Sequence, residues 1–277
     1  MKDKQVIITG PTSGIGKEIA MQLGALGADL VLACRDIERG KQTADEIMKH
    51  TGEKHVAVMQ MDASSQASIR EFARTYRDKY TRLDVLINNA AMNRGMHPHA
   101  KSVDGIELTF ATNVLGYFLL TQELLDLLKA SSPSRIVNVA SQFASDLDLD
   151  DLQFERRPFE SFKAYAQSKA CNRLLTWALA RRLKDTYVTA NAMAPGLVVD
   201  TGLYRHAPPE LVARLRQRSD RTVAQGADTA VWLASSPDVE GVSDEFFVDR
   251  KKTSCEFRNK SAEEKLWSIC ENLIQSH

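Results

Sequence analysis

Tyr165 and Lys169 have the residue types and the spacing of a proton-transfer pair. They stand four positions apart in the segment KAYAQSKACNRLL, residues 163–175. If this segment is a helix, the two side chains share a face, with Cβ atoms about 5–6 Å apart. An ammonium so close to a phenol favours the phenolate, which lowers the tyrosine pKa from about 10 towards neutral pH. Tyr165 would then serve as a general acid or base, although two amphipathic residues on a surface helix would have the same spacing.

A glycine-rich turn near the N-terminus suits the phosphates of a dinucleotide. Gln5–Thr9, with the sequence QVIIT, is an apolar, β-branched run typical of a buried strand. The turn GPTSGIG at residues 10–16 follows it and leads into a segment with apolar residues at helical spacing. Glycines let the backbone turn sharply and approach a pyrophosphate, which the N–H groups and positive end of the helix can hold. The pattern favours dinucleotide binding over a glycine turn without a ligand.

The residue after the second predicted strand indicates which dinucleotide binds. Arg35 follows the strand Asp29–Cys34, at the place where an NAD-binding fold usually has an acidic residue for the ribose 2′-hydroxyl. An arginine there can bind a 2′-phosphate through two parallel hydrogen bonds and stack on adenine. Asp36 fits the N-cap of the next helix. We therefore predict NADP(H) over NAD(H), the alternative being that Arg35 is a solvated surface charge.

Two later strand ends also suit a nucleotide. Asp62 follows the predicted strand 55–61 and could place a carboxylate at the adenine, or it could cap the next helix. The segment NNAA, residues 88–91, follows the predicted strand 83–87. Its small residues let the backbone pack on the adenosine, and the Asn88 amide can hold the neighbouring strand.

Asn113 is the polar exception in a long apolar segment, residues 104–129, which predicts one buried helix. Its side chain could satisfy a local backbone group. It could instead open the helix to hold a water. Both interpretations remain open from the sequence.

Predicted strands and helices alternate along the chain, which indicates a parallel sheet covered by helices on both faces. We predict a single α/β domain over residues 1–277, a Rossmann-type doubly wound sheet of about seven strands. Ser141, Pro195 and Gly196 follow the ends of two predicted strands, where ligands collect in open sheets.

Three segments lie outside this alternation. Residues 142–162 form an insert long enough to help build a pocket. Residues 200–221 have little strand character and predict a short helical excursion, a candidate lid. Residues 261–276 predict an amphipathic C-terminal helix with Ser261 as N-cap and Glu264 at capping-box spacing.

Composition limits the partners of the chain. Its 36 basic and 36 acidic residues cancel, so no global charge favours nucleic acid or an anionic membrane. The apolar run near the N-terminus is too short for a signal peptide or a membrane span. The four cysteines have no metal-binding spacing and predict reduced thiols in a cytoplasmic protein.

In combination and in order, the motifs resemble those of the short-chain dehydrogenase/reductase family. The resemblance covers nearly the whole chain, and Ala91 departs from it where the family usually has glycine. The motifs that carry it are Thr9-Gly10-xxx-Gly14-x-Gly16, Asn88-Asn89-Ala90, Asn113, Ser141, Tyr165-xxx-Lys169 and Pro195-Gly196.

This resemblance implies a catalytic tetrad. Tyr165 would be the general acid in carbonyl reduction and the base in alcohol oxidation. Ser141, with Ser145 as a substitute, would hold the substrate oxygen. Lys169 would lower the Tyr165 pKa and bind the nicotinamide ribose, and Asn113 would hold a water that links Lys169 to solvent. A hydride would pass between the nicotinamide and the carbonyl carbon.

A narrower resemblance is to the retinol dehydrogenase-like branch, with protochlorophyllide reductases as cousins. It rests on LACRDIERG at 32–40, DGIELTFATNVLGYFLLT at 104–121, the long insert with DLQFE between Ser141 and Tyr165, and KLWSICENL at 265–273. The segment TGLYRH at 201–206 looks closer to the protochlorophyllide reductase version. That branch generally uses NADP(H), and it implies a bulky, fairly apolar carbonyl or alcohol as the substrate. The family often dimerises through the helices around 104–129 and 163–184, which makes the chain a candidate homodimer.

Two alternative functions remain open. The first is reduction of an enone double bond on the same scaffold. The second is a non-catalytic NADP(H)-sensing protein. The predicted NADP(H) contacts come from the glycine turn, from several strand ends and from the catalytic pair: Gly10, Thr12, Ser13, Gly14, Ile15, Gly16, Arg35, Asp62, Ala63, Asn89, Ala90, Tyr165, Lys169, Pro195, Gly196 and Val198.

Overall fold

The computed structural model describes residues 1–52, 54–219 and 221–275. Within them the strands form a single sheet. The strands are β1 (Gln5–Thr9), β2 (Asp29–Cys34), β3 (Val56–Gln60), β4 (Val85–Asn88), β5 (Ser134–Val139), β6 (Val188–Ala194), β7 (Phe246–Val248) and β8 (Lys251–Lys252). Their order across the sheet is β3-β2-β1-β4-β5-β6-β7-β8, and all neighbours are parallel except β7 and β8. The predicted doubly wound sheet is confirmed, and the two-residue β8 adds an antiparallel edge to its seven parallel strands.

Helices lie on both faces of this sheet. Among the described residues, none of them is long and apolar enough to cross a membrane. The helices are α1 (Gly14–Ala25), α2 (Ile37–Thr51), α3 (Gln66–Lys79), α4 (Leu108–Phe110), α5 (Gly116–Ala130), α6 (Ser161–Arg182), α7 (Pro209–Arg218), α8 (Val223–Ser235) and α9 (Lys260–Gln275). A π-helical turn (Ala111–Leu115) joins α4 to α5, and short 3₁₀ turns occupy Gly202–Tyr204 and Pro237–Val239. Residue 220 of the predicted lid and residue 276 of the predicted C-terminal helix lie outside the described residues.

Two apolar cores lie on the two faces of the sheet. Successive side chains of a strand point to opposite faces, and in β1 Ile7 belongs to one core while Val6 and Ile8 belong to the other. Helices α3, α5, α6 and α9 cover the first core, and α1, α2 and α8 cover the second. Because both faces are buried, the strands have continuous apolar runs rather than alternating ones.

The helix predicted over 104–129 begins four residues later, at Leu108. The buried Glu107 side chain caps its start. Its carboxylate oxygens accept hydrogen bonds from the backbone N–H groups of Thr109 at 2.8 Å and Phe110 at 2.6 Å. A carboxylate is favoured at the positive end of a helix, so this cap fixes the boundary that apolarity alone placed too early.

The C-terminal helix is capped differently from the prediction. Asn259 Oδ1 accepts a hydrogen bond from the N–H of Ala262 at 3.1 Å. Glu263 returns the interaction by accepting the N–H of Asn259 at 3.0 Å. The predicted cap by Ser261 and Glu264 is therefore wrong, because an amide two residues upstream takes the same role.

Helix α9 packs across α5, α6 and α3. Trp267 lies edge-on to Phe118, with ring centroids 4.8 Å apart. The Arg182 guanidinium lies 3.9 Å from the centroid of the Trp267 ring. The amide of Gln66 donates to the carbonyl of Leu273 at 3.0 Å. These contacts make the last helix part of the same folded unit as the sheet.

Candidate active site

Tyr165 and Lys169 lie in the buried part of α6. Tyr165 is 8% exposed and Lys169 is 1% exposed. Every residue from 164 to 180 is buried, so this segment is not a surface helix. The alternative interpretation of the Tyr165–Lys169 spacing is therefore wrong.

Lys169 is enclosed by main chain and aromatic rings. Its Nζ donates a hydrogen bond to the carbonyl of Val139, at the end of β5, at 2.8 Å. It lies 5.5 Å from the centroid of the Tyr117 ring and 5.7 Å from that of Tyr165. Burial disfavours the charged form, and it lowers the pKa of Lys169 to about 7.

The Tyr165 phenol is held in its protonated form. Burial raises its pKa, the nearby Tyr204 raises it further, and a hydrogen bond with Ser141 lowers it. The prediction that Lys169 lowers this pKa towards neutrality is wrong for this arrangement, because the loss of solvation outweighs the favourable contacts. A protonated phenol can donate a proton to a carbonyl oxygen.

Ser141 lies just beyond the end of β5 and faces Tyr165. Its Oγ accepts a hydrogen bond from the N–H of Phe143 at 3.0 Å. The hydroxyl also interacts with the Tyr165 phenol. Ser145, the predicted substitute, is exposed and donates to the carboxylate of Asp146 at 2.7 Å. The structure therefore brings Ser141, and not Ser145, to the tyrosine.

Asn113 sits in the π-helical turn, and its side chain holds the loop that follows β4. Its Oδ1 accepts the N–H of Met92 at 2.8 Å, and its Nδ2 donates to the carbonyl of Met92 at 3.0 Å. The same Nδ2 donates to Ser168 Oγ at 3.0 Å. The Asn113 carbonyl accepts from Asn172 Nδ2 at 2.7 Å. The Asn113 side chain therefore satisfies backbone groups, as one interpretation expected, but these groups belong to the loop after β4 and not to its own helix. A π-helical turn often marks a functional position.

A buried polar chain connects the strands below this site. Asn88 Nδ2 donates to Asn138 Oδ1 on the neighbouring strand β5 at 2.9 Å, which confirms that Asn88 holds that strand. It also donates to Thr121 Oγ1 at 3.1 Å. Asn138 in turn donates to Thr176 Oγ1 on α6 at 2.9 Å. These bonds fix the relative positions of β4, β5 and α6, and so of the residues they carry.

The glycine turn approaches the end of β4 very closely. Gly10 has φ +65°, and a Cβ there would lie 2.9 Å from the Cα of Ala90. A Cβ on Gly16 would lie 2.3 Å from the Gly10 carbonyl oxygen and 2.3 Å from Asn89 Nδ2. Asn89 Nδ2 also donates to the carbonyl of Thr9 at 2.9 Å. Only glycines fit here, and the N-terminus of α1 opens directly from this turn, as a phosphate site requires.

The rim at the end of β2 carries two arginines. Arg35 is exposed, as expected for a contact with a ligand phosphate or for a solvated charge. The Asp36 carboxylate accepts the N–H of Arg39 at 3.1 Å, which confirms Asp36 as the N-cap of α2. The Arg39 guanidinium lies at the glycine turn, 3.4 Å from the Thr12 carbonyl oxygen. Sequence reasoning did not single out Arg39, although the Asp36 cap places it in the first turn of α2.

Asp62 does not cap the helix after β3. Ser65 is the N-cap of α3, where its Oγ accepts the N–H of Ser68 at 3.3 Å. Asp62 Oδ1 accepts from the N–H of Ser64 at 2.9 Å and from its hydroxyl at 2.7 Å. The adenine-facing role is therefore compatible with the local structure. Ala63 lies beside it, and its carbonyl would be 2.4 Å from a Cβ on Gly116.

Gly196 and Val198 follow β6 on the other side of the glycine turn. Gly196 has φ +76°, a conformation that favours glycine. Val198 is buried, and its Cγ2 would lie 2.6 Å from a Cβ on Gly226 of α8. Pro195 begins this connection, whose packing brings the end of β6 towards Ile15 in the first turn of α1.

Residues 201–207 contact the glycine turn at one end and the loop after β4 at the other. A Cβ on Gly14 would lie 3.0 Å from the Cβ of Thr201. At the other end, the N–H of Met96 donates to the carbonyl of His206 at 3.1 Å. Tyr204 lies between these ends and helps to raise the pKa of Tyr165. Sequence reasoning placed a lid here but did not identify Tyr204 as a neighbour of Tyr165.

Comparisons with known proteins identify the family of this chain. The sequence profile of the short chain dehydrogenase family matches residues 4–211. Human retinol dehydrogenase 14 is 40% identical over 296 aligned residues, which cover 99% of this chain and 87% of the relative. Human retinol dehydrogenase 12 is 41% identical over 98% of this chain and 86% of the relative.

Solved structures show the same fold. A protein of unassigned function from Mycobacterium paratuberculosis has a TM-score of 0.77 and 29% identity, with 99% of this chain and 94% of that chain covered. Pseudomonas aeruginosa RhlG, solved as an active-site complex with NADP, has a TM-score of 0.73 and 26% identity over 89% of this chain and 94% of that chain. The chain belongs to the short-chain dehydrogenase/reductase family, in its retinol dehydrogenase-like branch, and is an oxidoreductase.

Proposed function

We propose that the chain is an NADP(H)-dependent oxidoreductase that transfers a hydride between nicotinamide and the carbonyl or alcohol carbon of a bulky, fairly apolar substrate. The observation that carries the proposal is the hydrogen-bonded pair of Tyr165 and Ser141, with the buried Lys169 one helical turn away. This group lies at the carboxyl edge of the parallel sheet, beside a glycine turn suited to a pyrophosphate.

The chain's own residues would move the proton. NADPH, when bound, supplies the hydride. The Ser141 hydroxyl orients the substrate oxygen, and the Tyr165 phenol donates its proton to that oxygen. The Lys169 ammonium, 5.7 Å from the centroid of the phenol ring, stabilises the phenolate that remains. The Asn113 carbonyl has a second lone pair beside its bond from Asn172, which can hold the water that returns a proton.

The arginines at the end of β2 favour NADP(H) as the cofactor. Arg35 directly follows β2, and Arg39 contacts the glycine turn at Thr12, so each guanidinium is available to a 2′-phosphate bound at this edge. The absence of an acidic residue at position 35 removes the usual partner of an NAD ribose. RhlG and a Shigella flexneri neighbour that is 25% identical were both solved with NADP.

The mouth of the site supports an apolar substrate. Phe143 and Phe162 belong to the segment between Ser141 and Tyr165 and its continuation into α6. They are 46% and 51% exposed, and their rings meet edge-on with centroids 5.6 Å apart. Exposed aromatic side chains beside a catalytic group provide apolar surface for a ligand. The retinol dehydrogenases related to this chain are named for an apolar alcohol of this kind.

The test is a screen for NADPH consumption with bulky ketones and aldehydes, retinal among them, with NADH in parallel. Tyr165→Phe should remove turnover, because it deletes the proton donor, while NADPH binding stays within about twofold of the wild type. Tyr80→Phe is the matched control and should leave turnover unchanged; Tyr80 directly follows α3 and its ring stacks on that of Tyr76. Full activity of Tyr165→Phe on an accepted substrate would show that the mechanism is wrong.

Two other outcomes would favour the alternatives. Reduction of an enone at C=C rather than C=O would indicate the double-bond reductase, for which the segment 201–206 is the sequence argument. Tight NADPH binding without turnover on any carbonyl would indicate a sensing protein. Product analysis and fluorescence titration of NADPH separate these two outcomes.

A further inference from the structure

Arg173 lies on α6 one turn after Lys169, and protein encloses its guanidinium. The side chain is 4% exposed. Its guanidinium carbon lies 4.0 Å from the centroid of the Phe246 ring and 5.6 Å from that of Phe257. Across the described parts of the chain, the ion pairs formed by arginines do not include Arg173. It is thus a buried cation held by aromatic rings rather than by a carboxylate.

The hydrogen bonds of Arg173 point to the catalytic serine. One of its terminal nitrogens donates to the backbone carbonyl of Ser141. The other donates to Cys255 Sγ at 3.2 Å. The Ser141 hydroxyl on the same residue accepts the N–H of Phe143 and faces the Tyr165 phenol. The guanidinium therefore fixes the main chain of the residue whose side chain enters the site.

Two successive turns of α6 hold the end of β5 in the same way. Lys169 donates to the carbonyl of Val139, and Arg173 donates to the carbonyl of Ser141. In the proposed reaction Lys169 also serves the phenol and the ribose. Arg173 contacts neither, so its bond to Ser141 can persist throughout a reaction cycle.

We propose that Arg173 is a positioning residue that keeps the Ser141 hydroxyl at the substrate oxygen. The inference rests on the proposed function, because it assigns Ser141 its role there. Burying a cation without a counter-ion is unfavourable, and an apolar side chain would fit this core at lower cost. The stacking on Phe246 offsets only part of that cost. An apolar side chain could not donate the hydrogen bond to Ser141, whose direction is fixed by the planar guanidinium.

The test compares Arg173→Met and Arg173→Lys with the matched control Arg182→Met. Arg182 is also on α6 and also stacks on an aromatic ring, that of Trp267, but it does not contact Ser141 in the structure. For Arg173→Met we expect kcat to fall by about tenfold to a hundredfold, since a misplacement of about 1 Å can cost about a hundredfold in rate. KM and the NADPH dissociation constant should stay within about threefold. Arg173→Lys should regain part of the lost kcat.

Amide hydrogen exchange gives a readout that does not depend on activity. In Arg173→Met the segment 140–144, and the amide of Phe143 in particular, should exchange faster than in the wild type. In Arg182→Met it should exchange at the wild-type rate. If Arg173→Met does not fold, Arg173→Gln takes its place, because glutamine keeps a neutral hydrogen-bond donor on a shorter side chain. The same two measurements, kcat and amide exchange at 140–144, then decide.

The outcomes separate this inference from the proposed function. A wild-type protein without turnover refutes the proposed function, and hydrogen exchange still decides the role of Arg173. Unchanged exchange at 140–144 together with unchanged kcat in a folded Arg173→Met would overturn the inference. A uniform loss of kcat, cofactor affinity and melting temperature, not restored by lysine, would also overturn it, because that pattern indicates only a structural role.

Discussion

Lys169→Met should stabilise the folded protein at acidic and neutral pH while it abolishes turnover. Lys169 is 1% exposed, and burial lowers its pKa from 10.5 to about 7. At about 1.4 kcal/mol per pKa unit, this shift corresponds to a penalty of about 5 kcal/mol for the charged form. The lost hydrogen bond to the Val139 carbonyl offsets about 1–3 kcal/mol. The net gain from a methionine of similar length is therefore about 2–4 kcal/mol at pH 6.

The gain should shrink as the pH rises. Between about pH 7 and 10.5 the unfolded chain binds a proton at Lys169 that the folded chain does not. The free energy of unfolding of the wild type therefore rises with pH in this window, by up to about 1.4 kcal/mol per unit relative to the variant. At pH 9 the two proteins should be nearly equal in stability, and below pH 7 the full penalty is present in the wild type.

Urea unfolding without added cofactor, at pH 6, 7, 8 and 9, measures this difference. Lys163→Met is the control, since Lys163 is on the same helix but its side chain is 44% exposed and pairs with Glu160 at 2.5 Å. The control should change the free energy of unfolding by less than about 0.5 kcal/mol at every pH. A Lys169→Met variant that is less stable than the wild type by the same amount at every pH would refute the reasoning.

Four further substitutions test the cofactor site and the packing of α9. Arg35→Ala and Arg39→Ala should each weaken NADPH binding by about 1.5–3 kcal/mol, the scale of a charged hydrogen bond, and NADH binding far less. Equal losses for both cofactors in fluorescence titration would contradict a 2′-phosphate contact. Gly16→Ala should weaken the binding of both cofactors and lower the free energy of unfolding by about 1–3 kcal/mol, because its Cβ would lie 2.3 Å from the Gly10 carbonyl oxygen. A variant that binds NADPH normally would argue against this turn as the phosphate site. Trp267→Ala should lower the free energy of unfolding by about 3–5 kcal/mol, since Trp267 is 4% exposed between Phe118 and Arg182; a loss below about 1 kcal/mol in urea would contradict this packing.

The strands were predictable because their local signals are strong. β1 and β2 have the predicted bounds, since their continuous apolar runs end at a glycine turn and at a charged pair. Parallel strands bring their carboxyl ends to one edge of the sheet. Ser141 and Asn89 could therefore be assigned to one site from their positions in the sequence.

Contacts made between loops and the effects of burial could not be read from the sequence. Tyr204 and Arg39 reach the site only because residues 201–207 fold back on the glycine turn and because α2 begins beside Thr12. The direction of the Tyr165 pKa depends on how much water surrounds the phenol. A spacing of four residues predicts a neighbour, but it does not predict how strongly the surroundings exclude solvent.

The direction of the Tyr165 pKa favours proton donation over proton removal in the proposed reaction. Burial raises the pKa of Tyr165, so the phenol keeps its proton at neutral pH. Alcohol oxidation would require Tyr165 to begin as the phenolate, which burial opposes. Carbonyl reduction begins from the protonated phenol, and in the proposed reaction the Lys169 ammonium, 5.7 Å from the centroid of the phenol ring, stabilises the phenolate that remains. In the proposed reaction, a site that keeps its phenol protonated is therefore ready for carbonyl reduction at neutral pH, the direction in which a cell that keeps its NADP pool reduced would use an NADP(H)-dependent enzyme.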